Sequence, residues 1–308
     1  MRLGRHMPVS PAPKEALRLT AEVGGDAVQI FVTNPRGWRP PALKPNAEAA
    51  FRARRAELGA WPVVVHGAYL INLASSNPEV VEKSIALLHT TMERAALVDA
   101  LAVVFHTGSH TGSGEEEGLA RIISGIDRAL DGLEGPGPLL LLENDTGGGG
   151  KMGGHFETLA RALDALPQHA ERLGVCLDTT HLWGGGYDIG TPESAIATLD
   201  EADRAFGLAR VPVWHLNDAR AALGSHLDRH ARIGEGEIPL AGLTALLRDS
   251  RLADTVLIME TPLTRLGDGE EPDGAEGEDP DAAKTDWAAE RERFTRVRAL
   301  ISGEGVTA

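Results

Sequence analysis

The sequence predicts an α/β protein of the (β/α)8 barrel class, also called the TIM barrel, and three observations support this. Short runs rich in Val, Leu and Ile alternate with amphipathic segments, which is typical of buried parallel strands joined by helices. Six of the runs end in His, Asp or Glu, and these end residues are 40, 37, 35, 37 and 45 residues apart, enough for a strand and a helix each time. The whole chain accommodates eight strand–helix units, the number that a closed barrel requires.

The eight units follow one another with three longer loops between them. The predicted strands are residues 2–7, 27–32, 61–66, 101–106, 139–143, 173–178, 211–215 and 255–260, and the predicted helices are residues 13–23, 46–58, 78–98, 115–130, 155–166, 192–206, 240–247 and 286–301. The third helix has Glu82 and Lys83 on its polar side, and Gly132 is the expected end of the fourth. A glycine run (147–150) follows the fifth strand, a polar insertion follows the seventh, and an acidic segment precedes the last helix.

We expect one barrel domain over residues 1–308, with a flexible acidic loop at 266–284. A barrel of this class takes about 250 residues, so the length of 308 residues does not require a second domain. The segment 266–284 is rich in Gly, Pro and acidic residues and cannot offset the entropy of ordering. About half of the net charge of −15 comes from residues 268–286. The charge therefore does not exclude a nucleic-acid partner, because bound divalent cations invert it locally.

Composition favours the cytoplasm and gives no sign of a membrane. Cys176 is the single cysteine, so it cannot form an internal disulfide, which fits a reducing compartment. It lies inside an apolar run and is expected to be a buried core residue rather than a zinc thiolate. The chain has no run of about 18 apolar residues, and its N-terminus lacks the apolar stretch of a secretory signal.

The residues that end the apolar runs predict a metal centre. In a closed barrel all strand C-termini open onto one face, where active sites lie. Two short patterns add ligands there: Asp178-Thr-Thr-His181 at the sixth strand and Asp228-Arg-His230 in the insertion after the seventh. The nine candidate ligands are His66, His106, Glu143, Asp178, His181, His215, Asp228, His230 and Glu260.

The ligand types indicate which metals and which chemistry the centre supports. Imidazole and carboxylate without thiolate favour zinc, manganese or iron over magnesium. One metal takes three or four such ligands, so nine ligands fill three sites if one carboxylate bridges two metals. Clustered divalent metals suit hydrolysis of a phosphodiester, because they lower the pKa of bound water and clamp the attacking and leaving oxygens. A single strand-end His would more often be structural, but ligands at six strand ends are not expected by chance.

The remaining histidines and the glycine run receive lesser roles. The run lacks the Lys-Ser/Thr of a P-loop, so it predicts a turn, or backbone that approaches a ligand closely. Histidines in or beside predicted helices are expected at the surface or in packing, and the others are candidate donors that orient the ligands. The first set is His89, His155 and His169, and the second is His6, His110 and His226.

Seven short motifs, spread over roughly residues 24–262, carry a resemblance to a known family. They are 66–72 (HGAYLIN), 105–110 (FHTGSH), 142–144 (LEN), 174–181 (GVCLDTTH) with 186–188 (GYD), 215–218 (HLND), 224–230 (GSHLDRH) with 234–236 (GEG), and 259–261 (MET). In order and spacing they resemble the endonuclease IV family of apurinic/apyrimidinic (AP) endonucleases, also called AP endonuclease family 2. That family consists of xylose-isomerase-like barrels that bind three zinc ions and repair DNA.

The resemblance implies a function and a role for each site residue. One zinc would be held by His66, His106 and Glu143, a second by Glu143, Asp178, His215 and Glu260, and a third by His181, Asp228 and His230. Glu143 and Glu260 would be the catalytic carboxylates, with Glu260 as a metal ligand and candidate general base. The family cleaves the phosphodiester 5′ to an abasic site in double-stranded DNA, leaving a 3′-hydroxyl and a 5′-deoxyribose phosphate. Arg36, Tyr69 and Leu70 match the side chains that wedge into the gap left by the flipped nucleotide. Manganese or iron could replace zinc in some sites, and we expect a monomer.

The chain departs from the family pattern in places, and two alternative functions stay open. The first-strand loop, Gly67 and Ala68, the glycine-rich stretch 147–154 and the acidic segment differ from the usual pattern, which affects DNA positioning more than the metals. One alternative is a metal-dependent sugar isomerase or epimerase of the related barrels, which would bind one or two metals and leave Asp228 and His230 unused. The other is a non-catalytic DNA-damage binder, against which the intact Glu143 and Glu260 argue.

Overall fold

Eight parallel strands close into a barrel in the computed structural model, which describes residues 1–10, 12–40, 45–133, 135–266 and 284–303. The barrel strands are β1 (Arg2–His6), β2 (Ala27–Ile30), β3 (Val63–His66), β4 (Ala102–His106), β5 (Leu139–Glu143), β6 (Leu173–Asp178), β7 (Val213–His215) and β10 (Val256–Met259). Each pairs with the next barrel strand along the chain, and β10 pairs with β1. Two short strands, β8 (Asp218–Ala219) and β9 (His230–Ala231), form a separate antiparallel pair. The predicted barrel is confirmed.

Helices surround the barrel. They are α1 (Lys14–Val23), α2 (Pro45–Glu57), α3 (Pro78–Leu97), α4 (Glu115–Leu130), α5 (Phe156–Asp164), α6 (Thr179–Gly185), α7 (Pro192–Phe206), α8 (Leu240–Arg248) and α9 (Trp287–Ser302). The last helix, α9, packs against both α8 and α1 and so closes the ring. Among the described residues, no helix has the length and apolar character needed to cross a membrane.

Side chains along each strand point alternately into the barrel and toward the helices, which divides the core into two layers. In β4, Ala102 and Val104 belong to the cluster inside the barrel, whereas Val103 and Phe105 pack against the surrounding helices. Both faces of each strand are therefore buried, which explains the almost unbroken apolar runs. Cys176 is buried in the inner cluster, as expected, and burial raises the pKa of its thiol to about 11.

The helix α6 was not predicted. It begins directly after Asp178, whose Oδ1 accepts hydrogen bonds from the backbone N–H groups of Thr180 (2.6 Å) and His181 (3.0 Å). A carboxylate in this position satisfies N–H groups that the helix leaves unbonded. Seven residues are too few for the helical period to be recognised in the sequence. Most other predicted boundaries agree within about two residues, the usual uncertainty of element ends.

The polar insertion after β7 is organised by one buried carboxylate. Asp218 accepts hydrogen bonds from the backbone N–H groups of Gly234 (2.9 Å), Gly236 (3.0 Å) and Ile238 (3.0 Å). A Cβ on Gly236 would lie only 2.4 Å from the Ala219 carbonyl oxygen, so this close approach requires glycine. Asp218, although next to the predicted ligands, thus holds the loop that carries two of them.

The acidic segment leaves and re-enters the fold at adjacent points. The backbone N–H of Leu266 donates to the Lys284 carbonyl oxygen (2.8 Å), and that of Asp286 donates to the Thr264 carbonyl oxygen (2.7 Å). The expected flexible loop at 266–284 lies, apart from its two end residues, outside the described residues. The expectation of a single domain over residues 1–308 remains a prediction.

A buried ion pair ties the last helix to the first strand. Glu290 of α9 and Arg5 of β1 are both buried and form a salt bridge. Arg5 Nη2 also donates to the Thr261 carbonyl oxygen (2.8 Å), and Glu290 Oε1 accepts from the backbone N–H of Thr264 (3.1 Å). The pair therefore fixes the chain immediately after Glu260, the last candidate ligand.

Candidate metal centre

All nine predicted ligands meet at the C-terminal end of the barrel, where they form three adjoining groups. The first, here called the His66 group, contains His66, His106 and Glu143. The Glu260 group contains Glu143, Asp178, His215 and Glu260. The His181 group contains Asp178, His181 and His230, with Asp228 beside both histidines. Within each group, Asp228 left aside, the potential ligand atoms lie within 4.8 Å of one another.

In the His66 group, two imidazoles face one carboxylate oxygen. Nε2 of His66 lies 3.4 Å from Glu143 Oε2, and Nε2 of His106 lies 3.7 Å from the same atom. Zinc–ligand bonds of about 2.0–2.1 Å in a tetrahedron place two ligand atoms about 3.4 Å apart. The separations therefore suit ligands of one ion better than hydrogen-bonded partners, which lie about 2.7–3.2 Å apart.

In the Glu260 group, His215 stands among three carboxylates. Its Nδ1 lies 2.8 Å from Glu143 Oε1, 3.2 Å from Glu260 Oε2 and 3.8 Å from Asp178 Oδ2. Glu143 thus presents Oε2 to the His66 group and Oε1 to the Glu260 group. This is the arrangement of a carboxylate that can bridge two metals.

In the His181 group, Asp228 contacts both histidines, and Asp178 also comes close. Asp228 Oδ2 lies 3.0 Å from His181 Nε2, and its Oδ1 lies 3.4 Å from His230 Nε2. Asp178 Oδ2 lies 3.6 Å from His230 Nε2. The family resemblance assigned Asp178 to the Glu260 group alone, whereas the structure places its Oδ2 between two groups, since Oδ1 caps α6.

The second ring nitrogen of four ligand histidines faces an oxygen. The pairs are His66 Nδ1 with Gly67 O (2.7 Å), His181 Nδ1 with Asn144 O (2.9 Å), His215 Nε2 with Gln29 Oε1 (2.9 Å) and His230 Nδ1 with Glu260 O (3.4 Å). An oxygen acceptor holds the proton on that nitrogen and leaves the other nitrogen as a lone-pair donor. The four rings are therefore oriented as metal ligands require.

Buried amides support the carboxylates. Asn217 donates from Nδ2 to Asp178 Oδ2 (2.6 Å), and its Oδ1 accepts the backbone N–H of Glu260 (2.8 Å). Gln29 bonds both His215 and Glu260. Sequence reasoning missed Gln29, although a single glutamine within an otherwise apolar strand was a detectable signal. Asn217 belonged to the HLND motif but had no assigned role.

Burial and neighbouring groups shift the pKa values of the centre in opposite directions. Burial alone would raise the pKa of Glu143, but the imidazoles of His106 and His215 outweigh burial and hold this pKa well below its usual value. Burial would lower the pKa of His215, but Cys176, Glu260 and Glu143 raise it well above the usual value. Without a metal, this raised pKa favours the imidazolium form of His215, in which both ring nitrogens carry a proton and face an acceptor. A cation bound at Nδ1 would replace the proton on that nitrogen.

The donor set fits divalent cations. Glu143 Oε2 is buried and has no hydrogen-bond partner among the described residues. Imidazoles and carboxylates alone surround it, which suits zinc, manganese or iron. The lowered pKa values of Glu143, Asp228 and Glu260 favour their ionised forms, and buried charges of this kind are stable only when paired or bound to metal.

The predicted DNA-contacting residues lie at the mouth of the centre. Tyr69 is 37% exposed, and its ring centroid is 5.5 Å from that of His66. The backbone N–H of Tyr69 donates to the Pro35 carbonyl oxygen (3.0 Å), which joins its loop to the loop of Arg36. Arg36 is exposed, and Leu70 is half-buried. The aromatic side chain of Tyr69 thus lies at the entrance to the His66 group, and the exposed Arg36 is in the loop bonded to it.

Of the three histidines expected to orient ligands, His6 lies beside the centre, whereas His110 and His226 bond loop backbone. Nδ1 of His6 lies 3.7 Å from Glu260 Oε1 and 3.0 Å from Gln29 Nε2. His110 Nδ1 accepts from the N–H of Gly112 (3.1 Å), and His226 Nδ1 faces the Thr146 carbonyl oxygen (2.5 Å). The histidines expected at the surface or in packing have such roles: His89 bonds the Ala129 carbonyl oxygen, His169 bonds Asp127, and His155 precedes α5.

Fold and site together define a metal-site barrel of the xylose isomerase-like class. Residues 17–291 match the family described as "Xylose isomerase-like TIM barrel". The "Probable endonuclease 4" of Chloroflexus aurantiacus is 41% identical over 302 residues, covering 98% of this chain and 99% of the relative. The crystal structure of endonuclease IV from Thermus thermophilus is 37% identical, with a TM-score of 0.80 over 98% of this chain and 100% of that one. The chain belongs to the endonuclease IV family.

A more distant structural neighbour shares only the fold. D-psicose 3-epimerase from Clostridium cellulolyticum is 14% identical, with a TM-score of 0.71 over 98% of this chain and 99% of that one. At this identity the likeness shows that the barrel architecture is shared and says nothing of substrate. The epimerase alternative therefore gains no support beyond the fold.

Proposed function

We propose that this protein is a zinc-dependent AP endonuclease that hydrolyses the phosphodiester 5′ to an abasic site in double-stranded DNA. The products would be a 3′-hydroxyl and a 5′-deoxyribose phosphate. The single observation that carries the proposal is the sharing of Glu143 between two adjoining ligand groups, with a third group next to them. A sugar isomerase would have no use for the third group.

Each group would hold one zinc ion, three per chain. The His66 group would bind the first and the Glu260 group the second, with Glu143 common to both. His181, Asp228 and His230 would bind the third. When bound, the ions would supply a hydroxide at neutral pH and neutralise charge that develops on the phosphate oxygens.

The chain's own residues hold the reacting groups and move a proton. Glu260 has a side chain that is 14% exposed at the edge of the centre, and neighbouring His215 and His6 outweigh burial and keep its pKa below the usual value. Its carboxylate is thus ionised at neutral pH, as a metal ligand and candidate general base would be, and Gln29 holds Oε1. Glu143, more deeply buried, fixes the geometry of the two groups.

Contacts at the mouth would select damaged DNA. Tyr69 and Leu70 would fill the space left by the flipped abasic nucleotide, and Arg36 would reach a groove of the duplex. An abasic nucleotide costs less to extrude than a paired base, so the wedge favours the damaged site. We further propose that the protein acts as a cytoplasmic monomer.

Incision of a defined duplex tests the proposal. A duplex with one tetrahydrofuran abasic analogue is incubated with the zinc-loaded protein, and an undamaged duplex of the same sequence is the control. We expect cleavage only of the first, immediately 5′ to the analogue. Absence of incision would refute the endonuclease. Elemental analysis of the same sample should count three zinc ions per chain, whereas one or two would favour an isomerase-type centre.

A further inference from the structure

His106 differs from the other four ligand histidines in what its second ring nitrogen meets. The other four rings each present that nitrogen to a carbonyl or amide oxygen within 3.4 Å. Nδ1 of His106 is buried and has no hydrogen-bond partner among the described residues. The oxygen that faces it is Oδ2 of Asp145, at 3.8 Å.

Asp145 is a buried carboxylate with its two oxygens turned in different directions. Its Oδ1 accepts the backbone N–H of Thr146 (2.6 Å) and forms a salt bridge with Lys151 Nζ (2.9 Å). Its Oδ2 is the oxygen directed at His106. The residue is only 6% exposed, so the carboxylate is held within the protein beside the His66 group.

The glycine-rich loop after β5 fixes Asp145 in this place. The backbone N–H of Asp145 donates to the Gly153 carbonyl oxygen (2.9 Å). A Cβ on Gly153 would lie 2.7 Å from the Glu143 carbonyl oxygen, so only glycine permits this approach. The N–H of Met152 donates to the carbonyl oxygen of Gly108 (2.9 Å), just beyond His106 in the chain. The loop is thus bonded to the segment that follows the ligand.

We propose that Asp145 is a positioning residue for His106, through a carboxylate–imidazole–metal arrangement. The inference rests on the proposed metal centre. A metal at Nε2 of His106 requires the ring proton on Nδ1, and that N–H would then donate to Asp145 Oδ2. Closing the separation from 3.8 Å to a hydrogen bond takes a movement of about 1 Å. Such a carboxylate orients the ring and raises its basicity as a ligand.

Lys151 offsets only part of the negative charge of Asp145. Its ammonium group binds Oδ1, whereas Oδ2 is the oxygen that faces His106. The side chain of Lys151 is 36% exposed, so this ion pair is partly screened by solvent. Asp145 therefore faces the ligand histidine directly, whereas Lys151 reaches it through Asp145.

Zinc affinity of three variants tests the assignment. Asp145→Asn keeps an acceptor for Thr146 and removes the charge. Lys151→Met removes the salt bridge, and Asp127→Asn is the matched control, because Asp127 bonds His169 at 2.9 Å on the protein surface. Each zinc-loaded protein is titrated with a chelator, and histidine ¹H–¹⁵N spectra report the Nδ1 proton of His106.

The inference predicts a ranked result. Asp145→Asn should weaken binding of the zinc in the His66 group by about tenfold or more, as loss of such outer partners typically does. Its His106 Nδ1 proton should also lose the downfield shift of a hydrogen bond to a carboxylate. Lys151→Met should stay within about fivefold of the unaltered protein, in line with a partly exposed ion pair. Asp127→Asn should match the unaltered protein.

Two outcomes would overturn the inference while leaving the metal centre intact. In the first, the unaltered protein binds three zinc ions and Asp145→Asn behaves as Asp127→Asn does. In the second, Lys151→Met loses zinc as strongly as Asp145→Asn, which would mean that loop anchoring is responsible. If the unaltered protein binds no zinc, the proposed function itself fails and the inference falls with it.

Discussion

Replacing Glu143 by glutamine tests the central feature of the site, the carboxylate shared by two ligand groups. Glu143 Oε2 lies 3.4 Å from His66 Nε2 and 3.7 Å from His106 Nε2, whereas Oε1 lies 2.8 Å from His215 Nδ1. Glutamine has the same shape but offers one neutral oxygen, and its NH2 group repels a cation. It can therefore serve one group at most.

The magnitude follows from the loss of one ion. We expect the zinc content to fall from three to two or fewer per chain. A metal that stabilises charge in the transition state contributes several kcal/mol. Losing about 4 kcal/mol slows turnover roughly a thousandfold, since each ~1.4 kcal/mol corresponds to a factor of ten.

Elemental analysis and single-turnover incision of the tetrahydrofuran duplex measure the two effects on one preparation. Glu82→Gln is the control, because Glu82 is an exposed carboxylate paired with Arg128 outside the site. Binding of the duplex should persist in both variants, since the wedge residues are untouched. Three retained zinc ions together with a rate within about tenfold of the unaltered protein, a change of only ~1.4 kcal/mol, would refute the bridging role.

Three further predictions follow from the same geometry. Glu260→Gln should reduce turnover by orders of magnitude and largely spare affinity for abasic DNA, and a rate near that of the unaltered protein would contradict its role as a ligand and proton acceptor. Tyr69→Ala should leave the zinc content unchanged and weaken duplex binding roughly tenfold to a hundredfold, the range expected for one lost aromatic stack. The control is Leu101→Ala, at the opposite end of the barrel. Equal duplex binding by the two variants would argue against a wedge. In the metal-free protein, the lowered pKa of Glu143 stabilises the fold above pH 4.5, and this stability is lost as the solution becomes more acidic. The raised pKa of His215 stabilises the fold below pH 6.5, and this stability is lost as the pH rises through the pKa of the folded state. The free energy of unfolding measured in urea should therefore fall in both directions. The zinc-loaded protein should lack the decline at higher pH, because metal ligation requires deprotonated histidine; parallel pH profiles for the two forms would speak against ligation by His215.

The barrel and the positions of its candidate ligands could be predicted because the same residues carry both signals. Each parallel strand is buried on both faces, so its apolar run is visible without an alignment, and the run ends in a ligand such as His106 or Glu143. The length of one strand and one helix then sets the spacing between ligands. Sequence order thus translates directly into position around the mouth.

Contacts that depend on how loops fold back could not be predicted in the same way. Asp178 was predicted to be a ligand, but its role as the cap of α6 depends on a helix of seven residues. Asp145 lies in a loop whose glycines give no periodic pattern. Its approach to His106 results from the packing of two loops, which sequence spacing does not encode.

The dual placement of Asp178 and Glu143 has a consequence for how the centre fills. A cation bound to one group withdraws negative charge from a carboxylate that the adjoining group also needs. Occupancies of neighbouring groups are therefore linked, and each ion changes the affinity for the next by a reciprocal free energy. Metal titration should consequently deviate from the curve of independent, equivalent sites, and partly loaded molecules should form a distinct set of species.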